Sequence, residues 1–141
     1  ETDSLLIDAA CMDFIRQPER FDVVVASNLF GDILTDIGAM ITGSLGLASS
    51  ANINPDKTIP SMFEPTHGSA PDIAGKGLAN PMAQILTSSL MLEHLGEKEL
   101  SLEIEKSVKK VLSKNEIRTN DLGGNNSTSE VGDAVIRELA L

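Results

Sequence analysis

The sequence predicts an α/β fold, and three observations carry that expectation. Short apolar runs alternate along the chain with stretches whose apolar residues recur at helical spacing. One of those runs, Val23-Val24-Val25, is a β-branched triplet of the kind that parallel sheets bury on both faces. The 141 residues are 41 % hydrophobic and 23 % charged, which suits one packed core and argues against disorder. With no Trp, no Tyr and only Phe14, Phe21, Phe30 and Phe63, that core must be mainly aliphatic.

In chain order, Ser4-Leu5-Leu6-Ile7 reads as a short strand entering the core. Ala9, Ala10, Met12, Phe14 and Ile15 then suit a helix that stops at Arg16-Gln17-Pro18. Phe21 to Ala26 is the second strand. Ser27 or Asn28 offers a cap for a helix whose Ile33, Leu34, Ile37, Met40 and Ile41 form an i, i+1, i+4, i+7, i+8 stripe. Gly43, Gly46 and the polar stretch from Ser49 to Lys57 break the pattern. Met62-Phe63-Glu64 is a short extended run leading into the Gly- and Pro-rich segment Pro65 to Gly77.

From Asn80-Pro81 to His94-Leu95 the chain is apolar on most faces, which predicts a buried helix with Pro81 at its first position and Gly96 at its end. Ile104, Val108, Val111 and Leu112 mark a surface helix with lysines on its other side. Asp121 to Asn126 is a turn, and Ser127 or Thr128 caps a last helix through Val131, Val135 and Leu139. There is no repeat and no low-complexity segment.

Charge narrows the partners. Eleven Lys and Arg stand against 21 Asp and Glu, a net charge of −10. Clustered basic residues, which nucleic acid or an anionic membrane surface would need, are not expected here. No apolar run is long enough for a transmembrane helix. A single cysteine, Cys11, leaves no internal disulfide and no Cys-based zinc site, so a reducing cytoplasm is the expected compartment. The chain opens at Glu1 with neither methionine nor signal peptide, and is expected to be a piece of a longer one.

Three constellations suit chemistry. Asp32 and Asp36 stand at i, i+4, so both carboxylates reach one helix face. Oxygen-only donors favour Mg²⁺ or Mn²⁺ over zinc. The plainer reading is a solvated helix face, yet the apolar residues around the pair make unpaired carboxylates costly. Asp8 lies between an apolar run and a small-residue helix, a place where α/β proteins put site residues and also where a helix cap stands. In the segment from Glu64 to Gly77, Gly68 and Ser69 let backbone N–H groups approach a ligand. There Ser69-Ala70-Pro71-Asp72 reads as a capped helix start of the kind that attracts phosphate. Asp72 can accept hydrogen bonds from a ribose diol; an ordinary capped turn, with His67 satisfied locally, is the alternative. The G-x-G-x-x-G fingerprint is missing, so an ordinary Rossmann site is not supported.

Taken together, the motifs Asn28-Leu29-Phe30-Gly31-Asp32-Ile33-Leu34-Thr35-Asp36, Gly43-Ser44-Leu45-Gly46-Leu47 and the run from Glu64 to Pro81 strongly resemble the β-decarboxylating dehydrogenases. These include the isopropylmalate, isocitrate, homoisocitrate and tartrate or D-malate dehydrogenases. The resemblance covers nearly all of this chain but well under half of a family chain, its C-terminal part. Ala51 to Asn54 and Pro60 to Pro65 look most like the tartrate/D-malate branch, with Thr66 where valine would be expected.

The resemblance implies the C-terminal part of the two-domain isopropylmalate dehydrogenase-like fold. Residues 1–42 would end the central metal-binding and dimerisation domain, and residues 43–141 would form the C-terminal part of the cofactor-binding domain. It implies that Asp32 and Asp36 ligate Mg²⁺ or Mn²⁺, with Asp8 reaching the same ion from the other subunit of a homodimer. His67, Gly68, Ser69 and Ala70 would lie along the dinucleotide, Asp72 would bind the adenosine ribose of NAD, and Ile73 and Asn80 would contact adenine. The implied reaction is oxidation of a small 2-hydroxy acid by hydride transfer to NAD⁺, then loss of the β-carboxylate and protonation of the enol. The substrate-clamping arginines and the catalytic tyrosine and lysine lie upstream of Glu1 in the family. Two other readings remain, 3-isopropylmalate dehydrogenase of leucine biosynthesis and a non-catalytic regulatory homologue. The latter would be expected to lose one of the three aspartates, and all three are present.

Overall fold

The computed structural model describes residues 1–139, which fall into two compact units, Glu1–Gly43 and a second that begins at Ser44.

The first unit holds two helices, α1 (Ile7–Arg16) and α2 (Asn28–Thr42), packed on each other. The strand expected at Ser4 to Ile7 is not formed: Ile7 begins α1, and the residues before it join no strand. Phe21 to Ala26 is likewise not a strand, with Val23 86 % and Val25 94 % exposed. The physical reason is the same for both. A strand needs a neighbour for its N–H and C=O groups, and the only paired strands among the described residues lie in the other unit. The two segments instead border an open groove of about 880 Å³, lined partly by Leu6, Val24, Val25, Phe30 and Leu34. Local contacts fix the chain reversal after α1: Phe14 packs on Phe21 at 4.5 Å between ring centroids, and Arg20 pairs with both Asp3 and Asp13. Helix α2 follows the extended Ser27, whose hydroxyl makes no capping bond, and ends at Gly43. It buries Leu34 and Ala39 and leaves Leu29, Ile33, Met40 and Ile41 exposed.

The second unit is built on an antiparallel hairpin and three helices. Strands β1 (Ser49–Asn52) and β2 (Met62–Pro65) pair with Ser49 opposite Pro65 and Asn52 opposite Met62. Strand β1 lies inside the polar stretch that the sequence reads as a break. The loop between the strands is held by Ser61, whose hydroxyl accepts from the Asn54 N–H at 3.0 Å and meets His94 Nε2 at 3.2 Å.

Helix α3 (Met82–Leu95) starts one residue later than expected, with Pro81 outside it as the capping position, and ends at Gly96. It packs on the hairpin and on α4 (Lys98–Lys114), which in turn packs on α5 (Thr128–Glu138). The core is Met82, Val108, Val111, Val131, Ala134 and Val135. Buried hydroxyls at the α3–α4 contact are paired: Ser89 Oγ lies 2.9 Å from Ser101 Oγ, and Thr87 donates to the Ala83 carbonyl. Helix α3 is therefore buried on the faces toward α4 and the hairpin rather than all round, and Met91 and Leu95 remain exposed. Helix α5 begins with a full capping box between Ser127 and Glu130.

Candidate metal and cofactor sites

Asp32 and Asp36 both lie on α2, one turn apart, and both are exposed. The helical register thus aims two carboxylates at one side, as the spacing requires. The sequence-based concern about buried unpaired carboxylates does not arise, because α2 is open on that side within its unit. Asp8 occupies the first turn of α1, where its Oδ1 accepts from the Ala9 N–H at 2.9 Å; it is exposed and does not cap the helix, whose capping position is Leu6. Among the described residues, no group of three His, Cys, Asp or Glu side chains is placed to hold a metal. The chain therefore does not combine Asp8 with Asp32 and Asp36 in one three-carboxylate cluster. The donor set that remains, two free carboxylates on one helical face with no nitrogen or sulfur donor, fits a hard divalent cation.

The Pro65 to Asn80 segment is an open loop tied at its ends. At its start the Thr66 N–H donates to the Ala48 carbonyl at 3.1 Å. At its finish Thr128 donates through its N–H to the Gly77 carbonyl at 2.8 Å and through Oγ1 to the Ala79 carbonyl at 2.5 Å. Between these ties, Gly68, Ser69, Ala70 and Asp72 are exposed, and His67 and Ile73 are half-buried. His67 Nδ1 is 3.0 Å from the Gly68 carbonyl, so the imidazole is engaged locally.

The helix start expected at Ser69-Ala70-Pro71-Asp72 is instead a series of turns, with Ile73 N–H on Ala70 O and Lys76 N–H on Ile73 O. Gly75 and Gly77 explain the difference. Both take positive φ, 72° and 66°, which stops helical propagation. Ala70 also has positive φ, 44°, a conformation that costs an L-residue about 1 kcal/mol and that tends to occur where ligands are held. With no helix here, there is no helix dipole to hold an anion, and the amides of Ile73, Ala74 and Lys76 donate to carbonyls of their own turns. Gly68 has nothing within 4 Å of where a Cβ would stand.

Asn80 is buried, and both ends of its carboxamide are engaged: Oδ1 accepts from the Met82 N–H and Nδ2 donates to Asp121 Oδ2, each at 3.0 Å. Sequence reasoning placed Asn80 at adenine but missed Asp121, because Asp121 to Asn126 carries only a turn signal. Burial pushes the Asp121 carboxyl up. Hydrogen bonds from Ser44, Thr119 and Asn80 outweigh that effect and hold its pKa below the ordinary aspartate value.

The family model for isocitrate/isopropylmalate dehydrogenase matches residues 1–135. The chain belongs to that family. It is 56 % identical over 139 residues to the probable tartrate dehydrogenase/decarboxylase of Bacillus subtilis, covering 99 % of this chain and 39 % of that protein. It is 54 % identical over 140 residues to the 3-isopropylmalate dehydrogenase of Thermobifida fusca, covering 99 % and 38 % respectively. The crystal structure of isocitrate dehydrogenase from Methylococcus capsulatus matches with a TM-score of 0.93 at 43 % identity, over 100 % of this chain and 41 % of that one. The chain thus spans about two-fifths of the length of the relatives it matches, and its fold is a partial one within that α/β family.

Proposed function

We propose that this chain is the metal-carboxylate and cofactor-loop portion of an NAD-dependent, divalent-metal-dependent dehydrogenase acting on a small 2-hydroxy dicarboxylic acid such as tartrate or D-malate, with decarboxylation of suitable substrates. The observation that carries the reading is that one family chain keeps both halves of the equipment: the Asp32/Asp36 pair on the open side of α2, and an open loop that exposes Asp72. Asp32 and Asp36 would hold Mg²⁺ or Mn²⁺, with Asp8 of a second copy completing the ligand set in a homodimer. Bound there, the cation would supply Lewis acidity for oxidation at C2 and for loss of the carboxylate.

The chain's own residues also hold the cofactor. The turns from His67 to Ala70 present backbone amides to the dinucleotide. Asp72 takes the adenosine ribose diol, and its charge repels a 2′-phosphate. Ile73 offers an apolar side chain for the adenine ring. With both ends of the Asn80 carboxamide engaged within the protein, its contact with adenine would fall to its backbone. A cytoplasmic location goes with this reading. The second reading, 3-isopropylmalate dehydrogenase, is favoured by the 54 % identity to the Thermobifida fusca enzyme. Turnover with tartrate, D-malate and 3-isopropylmalate in the full-length polypeptide separates the two.

The metal assignment is tested by titrating Mn²⁺ into the full-length polypeptide and into its Asp32→Asn and Asp36→Asn variants. Each variant is expected to bind Mn²⁺ about tenfold more weakly or worse, with a larger fall in turnover. Unchanged titration curves for both would remove these residues from the site.

A further inference from the structure

Asp121 is distant in sequence from the loop, yet three segments of the second unit meet at its carboxylate. Oδ2 accepts from Ser44 Oγ and from Asn80 Nδ2, while Oδ1 accepts from Thr119 Oγ1 at 2.5 Å. Ser44 opens the unit, Asn80 closes the loop, and Thr119 is completely buried. Ser44 Oγ also accepts from the Gly46 N–H at 2.9 Å. Gly46 itself leaves no spare room: a Cβ there would stand 2.7 Å from Asn80 Cβ and 2.8 Å from Asp121 Oδ2. The Asn80 side chain is thus pinned from three directions, by Asp121, by the Met82 amide and by the Gly46 backbone.

Just before Asn80, Thr128 holds the carbonyls of Gly77 and Ala79. Among the described residues, 69–76 make no hydrogen bonds except those of their own turns. What sets the position of the loop's C-terminal half is therefore the pair of anchors at its end.

We propose that Asp121 and Thr128 are positioning residues that fix the end of the loop, so that an adenosine meets a preformed wall at Asp72 to Asn80. This rests on the reading of that loop as a dinucleotide site. An anchored loop loses less conformational entropy when a ligand orders it, so the anchors act on cofactor affinity and not on the chemical step.

The test uses the full-length polypeptide and compares wild type with Asp121→Ala, Asp121→Asn and Thr128→Val. NADH affinity is followed by fluorescence, with ADP-ribose as a competing probe that lacks nicotinamide. Asp121→Ala and Thr128→Val are expected to weaken NADH and ADP-ribose about tenfold. KM for NAD should rise, while kcat at saturating NAD and Mn²⁺ affinity stay within about twofold. Asp121→Asn should recover most of the loss. Its amide oxygen can accept from Ser44 and Asn80, and its amino group can donate to Thr119, whose hydroxyl is able to accept. Should Asp121→Ala fail to fold, Thr128→Val, which removes one hydroxyl at a helix end, carries the test.

Wild type that binds NADH while the variants bind it equally well overturns the positioning role and leaves the cofactor reading intact. Wild type that binds neither NADH nor NADPH overturns both. Parallel losses of kcat, Mn²⁺ affinity and NADH affinity in Asp121→Ala, without recovery in Asp121→Asn, show a general structural role and overturn the proposal.

Discussion

The two units handle the same raw material differently. Valines occur in both, yet Val131 in the second unit is completely buried whereas Val25 in the first is 94 % exposed. The second unit closes a core between α3, α4 and α5, pairs its buried hydroxyls and caps its last helix with Ser127 and Glu130. The first unit packs two helices and leaves two extended segments without partners. A β-branched run specifies a strand only where another strand is present to pair with it. An amphipathic helix pair separated by a short connection can bury its apolar faces from local sequence alone. Recognition is divided along the same line: the carboxylates proposed for the metal lie in the first unit, and the loop proposed for the cofactor lies in the second.

The contrast is broken or sharpened most directly by truncating matched valines in the polypeptide of residues 1–141. Val131→Ala is expected to cost about 2–3 kcal/mol, because it removes buried methyl groups and leaves a cavity. Val25→Ala is expected to stay within about 0.5 kcal/mol. Denaturant midpoints read both. Equal costs would mean that Val25 is covered in solution and would contradict the contrast.

A smaller effect is expected at the start of α5. Ser127→Ala removes the capping hydroxyl and should cost about 1 kcal/mol. Hydrogen bonds from the Ser127 N–H and hydroxyl hold Glu130 below the ordinary glutamate value, and Asp121 lies below the ordinary aspartate value. A carboxylate with a lowered folded pKa gives stability that is full above its unfolded pKa, about 4, and lost as the pH falls through its folded pKa. The second unit should therefore loosen below about pH 4, with the wild type losing part of its advantage over Ser127→Ala as Glu130 protonates, while the bond from the Glu130 N–H to Ser127 Oγ persists. Hydrogen exchange at the α5 amides from pH 6 to pH 3 checks this. An advantage that is the same at pH 6 and pH 3 would contradict it.

The smallest shift is expected at Ala70. Ala70→Gly relieves a positive φ and should raise stability by up to about 1 kcal/mol, partly offset by the greater freedom of glycine in the unfolded chain. A lower denaturant midpoint would mean that the Ala70 methyl contributes packing that outweighs its backbone strain.

Much of the second unit was legible from local signals. Gly96 ended α3, Ser127 started α5, and Met62-Phe63-Glu64 read correctly as extended. Strand β1 was not legible, because Ser49-Ser50-Ala51-Asn52 has no β-branched or aromatic residue and is extended only through its pairing with β2. The turns after Ser69 carry the capping pattern of a helix start, but the positive φ of Gly75 and Gly77 ends any helix before it can form. At the site, the face shared by Asp32 and Asp36 followed from their spacing. The Asp121 anchor did not, since its partners Ser44 and Asn80 are 77 and 41 residues away and no local pattern links them.

The division of recognition between the two units is tested most directly by a crossed pair of variants in the full-length polypeptide. In Asp72→Lys and in Asp36→Asn, two quantities are measured side by side: the ratio of kcat/KM with NAD to kcat/KM with NADP, and the affinity for Mn²⁺. Two like charges about 4 Å apart repel by around 4 kcal/mol at an effective dielectric of 20, and a third of that after screening still gives a preference of about tenfold for NAD in the wild type. The expected result is that Asp72→Lys lowers the NAD-to-NADP ratio and leaves Mn²⁺ affinity alone, while Asp36→Asn weakens Mn²⁺ and leaves the ratio alone. A wild type that already prefers NADP, or an Asp72→Lys variant whose ratio stays put while its Mn²⁺ affinity falls, would contradict the assignment.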